Sequence, residues 1–198
     1  MTDGGGWLRR AGRGRTDDGA VAIWTISDGS RGRRWREAVV DIDGGIRSSL
    51  LFETDRDRCF SHMELSTAAG LLTLHPETDG TLHGNVVSRD GIRHVVGLPW
   101  QRTGIVGIEG SPLALAAALF LLERQVGEGS ALEVASIEIG LDLIVTAGRS
   151  RVERMTADGW RLGGRAVDRT RAGGLPALRD AVDWPLELEP VGQGRGLP

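Results

Sequence analysis

Short apolar segments alternate with turn signals over most of the chain. Between residues 20 and 98, seven segments carry the mixed apolar and polar pattern of partly buried strands, and Asp-Gly or Gly-rich sequences that favour hairpins separate them. The segments are AVAIWTI, WREAVVDI, IRSSLLFET, FSHMELS, GLLTLHP, TLHGNVVS and IRHVVGL. Because strands joined by tight turns run in opposite directions, the pattern predicts an antiparallel meander.

One segment has the pattern of a helix instead. Ser111 is a favourable N-cap, Pro112 suits the first helical position, and the strong helix formers that follow run to Gly127. Every residue from Leu113 to Leu122 is apolar, so the predicted helix 112–126 has no polar face over this stretch. The apolar stretch is too short to cross a bilayer, and we therefore expect protein to surround it.

Further strands follow the helix. The segment ALEVASIEIGLDLIVTA alternates apolar and polar residues, and SRVERMT, DG and WRLGGRAV predict a final hairpin. The predicted fold class is mainly β with one buried helix. Its simplest form is a large curved antiparallel meander of about nine to eleven strands, an unclosed half-barrel wrapped around the apolar helix.

The two ends of the chain differ from its centre. Residues 1–18 are rich in Gly, Arg and Asp with little to bury, and we expect a flexible N-terminal segment. Residues 19–168 are expected to form the single half-barrel domain. Residues 169–198 are expected to be a loosely ordered tail, in which only LPALRDAVDW could form a short helix.

Composition narrows the class of protein. The net charge of -3 and the pI near 5.8 give no general attraction to nucleic acid, which is therefore not an expected partner. Cys59 is the single cysteine, so no intrachain disulfide is possible. With no recognisable signal peptide or transmembrane stretch, we expect a cytoplasmic protein. No cofactor is predicted, and the oligomeric state stays open.

Histidines and carboxylates surround one turn, in the segment GLLTLHPETDGTLHGNVV. A two-residue Asp-Gly turn would place His75 and His83 on opposite faces of the sheet, and this register predicts no bound metal. A three-residue loop would place them diagonally on one face. His62 and Glu64 share a face of another strand, so a metal-dependent or hydrolytic enzyme using these four residues is one alternative.

Tryptophan and arginine supply the other candidates. The segment RGRRWRE places Trp35 and Arg36 beside a hairpin, where they could contact a phosphate, a sugar or a lipid head group. A solvated turn with Trp35 packed under it is the favoured interpretation of this segment. Trp24, Trp35, Trp100 and Trp160 lie in or beside predicted strands. Packing in the core and lining of a ligand cleft are both open interpretations for these side chains.

Two segments resemble a known family. GSALEVASIEIGLDLIVTAGRSRVERMTADGWRL, Gly129 to Leu162, is similar to the C-terminal half of a bacterial glycolipid-binding family, and RRWREAVVDIDG is similar to its tryptophan-arginine strand. The resemblance implies an unclosed antiparallel half-barrel like that of bacterial lipoprotein carriers, with Trp35 and Arg36 as the matched positions. The segment LHGNVVSRDGIRHVVGLPW departs from the family pattern and shares little with it beyond Leu-Pro.

The functional prediction follows from this resemblance and from the expected architecture. We predict non-enzymatic binding of an amphipathic ligand, a glycolipid or a fatty acyl compound, in a cleft between curved sheet and helix. The predicted ligand-binding residues are Trp35, Arg36, His62, Glu64 and Trp100. The alternatives are the enzyme described above and an interaction module without a pocket.

Overall fold

The computed structural model describes residues 9–168 and the backbone of residues 179–185. These residues form one helix and fourteen strands. The strands are β1 Arg9–Arg15, β2 Val21–Gly29, β3 Gly32–Val40, β4 Ile46–Thr54, β5 Phe60–Thr67, β6 Gly70–Pro76, β7 Thr81–Ser88, β8 Gly91–Pro99, β9 Ile105–Ile108, β10 Ser130–Ile139, β11 Val145–Arg154, β12 Gly159–Leu162, β13 Arg165–Asp168 and β14 Arg179–Pro185; the helix, α1, is Pro112–Leu122.

Nine strands form the large sheet, in the order β14-β1-β2-β3-β4-β5-β6-β7-β8. Every neighbouring pair in it is antiparallel, and from β1 to β8 each strand pairs with the next one in sequence. The predicted fold class, mainly β with one buried helix and a large curved antiparallel meander, is therefore confirmed.

Strand β9, which precedes the helix, and strands β10 to β13, which follow it, form a separate small sheet in the order β13-β12-β11-β10-β9. Its pair β9–β10 is parallel, with Val106 opposite Ile137, and α1 is the connection between these two strands. The sequence pattern predicted a purely antiparallel arrangement. This strand–helix–strand crossover brings the helix against the small sheet as well as the large one.

The helix begins as predicted and ends earlier. The backbone N–H of Ala114 donates to the Ser111 Oγ at 3.0 Å, which is the N-cap bond that the sequence indicated. The helix ends at Leu122 rather than at residue 126, and a turn follows, in which the N–H of Val126 donates to the Leu122 carbonyl at 2.9 Å. No residue of the helix is exposed.

Two apolar clusters explain why the helix has no polar face. Leu113, Ala117 and Leu121 pack with the inward side chains of the large sheet, whereas Leu119 and Leu122 pack with those of the small sheet. Because sheets pack against two sides of the helix, most of its surface is removed from water, and apolar residues occupy every position. The part of the chain described here contains no helix long and apolar enough to span a membrane.

The chain ends differ from the expectation where the structure describes them. Arg9–Arg15, within the segment expected to be flexible, forms β1 and pairs with strands on both sides. Arg179–Pro185, within the segment that could form a short helix, is strand β14 paired with β1. The rest of the predicted head and tail, residues 1–8, 169–178 and 186–198, lies outside the described residues.

Candidate functional site

Aromatic side chains fill the space between the large sheet and the helix. Phe52 lies between two neighbours, with ring centroids 5.8 Å from Trp35 and 5.1 Å from Phe60. Phe60 lies 5.6 Å from Trp100, and the helix adds Phe120 at 5.2 Å from Trp35. Trp35 and Trp100 are only 1% and 7% exposed. These contacts are those of a packed aromatic core, where edge-to-face pairs stabilise the interior.

The five predicted ligand-binding residues lie on two faces of the large sheet. Trp35 and Trp100 belong to the buried core, whereas Arg36 and Glu64 are exposed and lie in one row on the outer face, both opposite Leu51 of β4. His62 is next to Glu64 on that face, with its Nε2 3.2 Å from the Glu64 Oε1. A single ligand in the interior would reach only the tryptophans of this set.

The histidine hairpin has the three-residue loop of the second alternative, but its histidines pair directly and not diagonally. His75 lies directly opposite His83, because a three-residue loop ending at Gly80 connects the strands and the N–H of Glu77 donates to the Thr81 carbonyl at 2.8 Å. Gly80 has φ +80°, which a three-residue hairpin loop requires at this position. The two-residue turn was therefore wrong, and the two histidines share the outer face.

The shared face does not gather a set of metal ligands. His75 Nε2 lies 3.0 Å from the Glu77 Oε1, so its nearest carboxylate belongs to its own strand end. Among residues 9–168, no three His, Cys, Asp or Glu side chains are placed so that they could hold a metal ion. Within this range, the four residues of the enzyme alternative therefore do not form a metal site.

A cleft of about 520 Å³ lies on the other side of the helix, against the small sheet. Its floor and inner wall are mostly apolar: Ile105, Val106 and Ile108 of β9, Ala114, Leu115 and Ala118 of the helix, and Leu162 and Val167 of β12 and β13. The turn Thr16–Asp18, which joins β1 to β2, and Arg47 of β4 form its outer wall. The cleft therefore joins an apolar surface to a charged rim.

Ion pairs fix the outer wall. Arg47 lies 2.6 Å from Asp18 and 2.5 Å from Asp41, so one guanidinium ties two hairpin turns together. The hydroxyl of Thr16 and then the guanidinium of Arg47 lower the pKa of Asp18 to about 2. Asp18 is thus ionised at neutral pH and its charge is balanced locally.

Glu138 of β10 lies at the floor of the cleft, directly opposite Gly107 in the parallel pair. Its carboxylate rests against the backbone of Gly107, where a Cβ atom would lie only 2.2 Å from the Oε2. Partial burial raises the pKa of Glu138 above its usual value. A glycine at position 107 is what makes room for this carboxylate inside the cleft.

A buried carboxyl group holds the helix that forms the inner wall. Glu37 of β3 is 4% exposed; it accepts from the Ser111 hydroxyl at 2.6 Å and from the backbone N–H of Leu113 at 2.9 Å. Burial raises the pKa of Glu37 to about 7, although both hydrogen bonds oppose the shift. The start of the helix is thereby fixed to the large sheet.

The residues of this cleft escaped the sequence analysis, although one signal was present. Glu37 lies between Trp35 and Val39 in β3, so it occupies an inward position of an otherwise apolar alternation. A carboxylate in that register indicates a buried, hydrogen-bonded group. No comparable signal marked Arg47 or Glu138, because the cleft depends on which distant strands meet.

The chain was compared with known proteins. No family model and no curated protein matches it. A crystal structure of a DUF1089 family protein from Pseudomonas aeruginosa is similar over 89% of this chain and 93% of that chain, with 15% identity and a TM-score of 0.48. A likeness of this extent supports no functional argument, and the resemblance to a glycolipid-binding family stays a prediction.

Proposed function

We propose that this protein binds a small amphipathic molecule, of the glycolipid or fatty acyl type, in the cleft between the helix and the small sheet. The observation that carries the proposal is the composition of that cleft. Apolar side chains of the helix, β9, β12 and β13 form one side of it, and charged side chains form the rim. Its volume, about 520 Å³, lies within the usual range for small-molecule sites.

The proposed binding site differs from the one that the sequence predicted around Trp35 and Trp100. The space around Trp35 and Trp100 is filled by aromatic rings, so we assign these tryptophans to support of the helix. We assign ligand contact to the opposite side of the same helix, at Leu115 and Ala118. An amphipathic ligand would place its apolar part there and its polar part toward the rim.

The inner wall is well fixed, which favours binding. Glu37 and Ser111 hold the start of the helix, and the Arg47 ion pairs hold the turn across from it. A cleft whose two walls are held in place needs little reordering when a ligand enters, and less of the interaction free energy is then lost.

The test is a calorimetric titration with octyl glucoside below its micelle-forming concentration. We expect saturable binding that Leu115→Trp abolishes, because the indole would occupy the cleft. Ser150→Phe, which fills the cleft from β11, should have the same effect. Leu71→Trp is the control, since Leu71 is 37% exposed on the large sheet and lies outside the cleft.

Circular dichroism and thermal melting should first establish that each variant is folded. Binding that survives both obstructing substitutions in folded protein would place the ligand elsewhere. Titrations that stay flat with the unaltered protein for octyl glucoside and for fatty acids would refute the proposal.

A further inference from the structure

We infer, on the basis of the proposed cleft, that its ligand carries a positive charge: a glycolipid or fatty acyl compound with an organic amine in its polar part, for which Glu138 is the counter-ion. The inference narrows the class of amphipathic molecule. It depends on three features of the cleft: the balance of its charges, the lack of a partner for Glu138, and the glycine beneath that carboxylate.

The cleft has more acidic than basic groups. Four carboxylates line it, those of Asp17, Asp18, Glu109 and Glu138, against the guanidinium groups of Arg47 and Arg165. Arg47 is already bound to Asp18 and to Asp41, which lies outside the cleft. With Asp17 and the Arg47–Asp18 pair left aside, Glu109 and Glu138 still outnumber Arg165 among the described lining residues, and this balance favours a cationic head group over an anionic one.

Glu138 has neither a cation nor a hydrogen-bond donor among the described residues. Glu109, by contrast, accepts from the backbone N–H of Leu141 at 3.3 Å. The Glu138 side chain keeps contact with solvent, and its partial burial still raises its pKa above the usual value, so its ionised form is less stabilised than in open water. An ammonium group placed within a few ångströms would supply the missing partner and gain more there than in open water.

The backbone makes a place for this carboxylate. Since Gly107 has no side chain, Glu138 lies across β9 and points its oxygens over the floor of the cleft. Any other residue at position 107 would bring a Cβ to 2.2 Å from the Oε2 and displace the carboxylate. The position of the charge is thus set by the β9–β10 pairing and not by the rotamer alone.

Arg165 does not neutralise Glu138. It lies on β13, and three strand spacings separate β13 from β10 in the small sheet, which is roughly 14 Å. At that distance and with solvent in the cleft, their interaction is largely screened. An anionic ligand drawn to Arg165 would be a different result, and the experiment below distinguishes it.

The experiment compares three ligands that share one alkyl chain: octylammonium, octanoate and octyl glucoside. We expect calorimetry to show octylammonium binding at least tenfold more tightly than octanoate. Glu138→Gln should reduce the affinity for octylammonium about tenfold and that for octyl glucoside far less. Glu133→Gln is the matched control, because Glu133 lies on the same strand but outside the cleft. This substitution changes the net charge of the protein by the same amount as Glu138→Gln.

A second variant tests the position of the Glu138 carboxylate without changing the net charge of the protein. Gly107→Ala should displace the carboxylate and weaken octylammonium binding several-fold. The φ of Gly107 is not in the left-handed region, so alanine fits the strand backbone there. The variant therefore remains informative if Glu138→Gln alters folding.

The outcomes separate this inference from the proposed function. If octyl glucoside binds and Leu115→Trp blocks it, but octylammonium binds no better than octanoate, the inference is wrong and the cleft remains the site. If Glu133→Gln weakens octylammonium as much as Glu138→Gln, the attraction is a general effect of net charge and the inference is also wrong. If no ligand binds, both are refuted.

Discussion

The two sides of the helix are filled in different ways. Toward the large sheet, the rings of Trp35, Phe52, Phe60 and Trp100 make a continuous aromatic row that Phe120 of the helix joins. Toward the small sheet, Leu119 and Leu122 of the helix pack with Trp160. Ala114, Leu115 and Ala118 instead border open space beside Gly107 of β9. One side is consequently closed and the other keeps a cleft of about 520 Å³. An apolar helix alone therefore does not determine where a ligand can bind; the size of the residues that face the helix does.

The largest effect on stability is expected from a charge placed at a fully buried position of the helix. Leu119→Asp should destabilise the protein by about 5 kcal/mol or more, because Leu119 is 1% exposed and the new carboxylate would have no partner. Chemical denaturation would measure the loss. Leu132→Asp, at a position 37% exposed on β10, should cost far less. Equal losses for the two variants would contradict the enclosed position of the helix.

The second-largest effect on stability distinguishes the inner face of β3 from its outer face. Trp35→Ala should cost about 3 to 5 kcal/mol because it opens a cavity in the aromatic row. Arg36→Ala, one residue along and exposed on the opposite face, should change stability by no more than about 0.5 kcal/mol. If Trp35→Ala left the melting temperature unchanged, the aromatic row would not be a core.

Much of the closed side could be predicted from the sequence. The apolar run Leu113 to Leu122, the Ser111 cap and the meander of hairpins follow from patterns that each depend on adjacent residues. Core packing of Trp35 and Trp100 was one of two open interpretations, and the aromatic contacts decide for it. Local signals suffice where neighbours in sequence are also neighbours in the sheet.

The open side could not be predicted, because it depends on distant pairings. Strand β1, RRAGRGR, has no apolar alternation and is ordered by β2 and by β14 from the far end of the chain. The parallel β9–β10 pair requires the helix to be a crossover, and no residue pattern signals that. The histidine register was wrong for a related reason: a single residue more in the loop changes which side chains share a face.

A pH-dependent effect should come from the group that joins the helix to the large sheet. The pKa of Glu37 is raised from 4.5 to about 7, so the folded protein binds this proton more tightly than the unfolded chain. Its contribution is fully present below about pH 4.5 and is lost as the pH rises toward about 7. Stability should fall over that range by about 3 kcal/mol at most.

Glu37→Gln tests this assignment. The amide can still accept from the Leu113 N–H and can donate to the Ser111 Oγ, so the variant should fold and lose the pH dependence between 4.5 and 7. Denaturation curves at several pH values would measure it, with Glu64→Gln on the outer face as control. A variant that kept the full pH dependence would assign it to another group.

The smallest effect on stability is expected at the charged rim of the cleft. Asp18→Asn removes one of the two carboxylates bound to Arg47, but the pair is largely solvent-exposed and Asp41 remains. We expect a loss of about 1 kcal/mol or less that diminishes at high salt. Thermal melting at low and high ionic strength would measure it. A loss as large as that of Trp35→Ala would mean that the outer wall, and not the aromatic row, carries the stability.

The bond between Glu37 and the start of the helix also has a consequence for the order of folding. Glu37 is separated in the chain from Ser111 by 74 residues and from Leu113 by 76. The hairpins from β2 to β8, by contrast, pair segments that are adjacent in sequence. Short loops close at little entropic cost, and long ones close slowly. We therefore expect the meander to form first and the helix to dock onto it later.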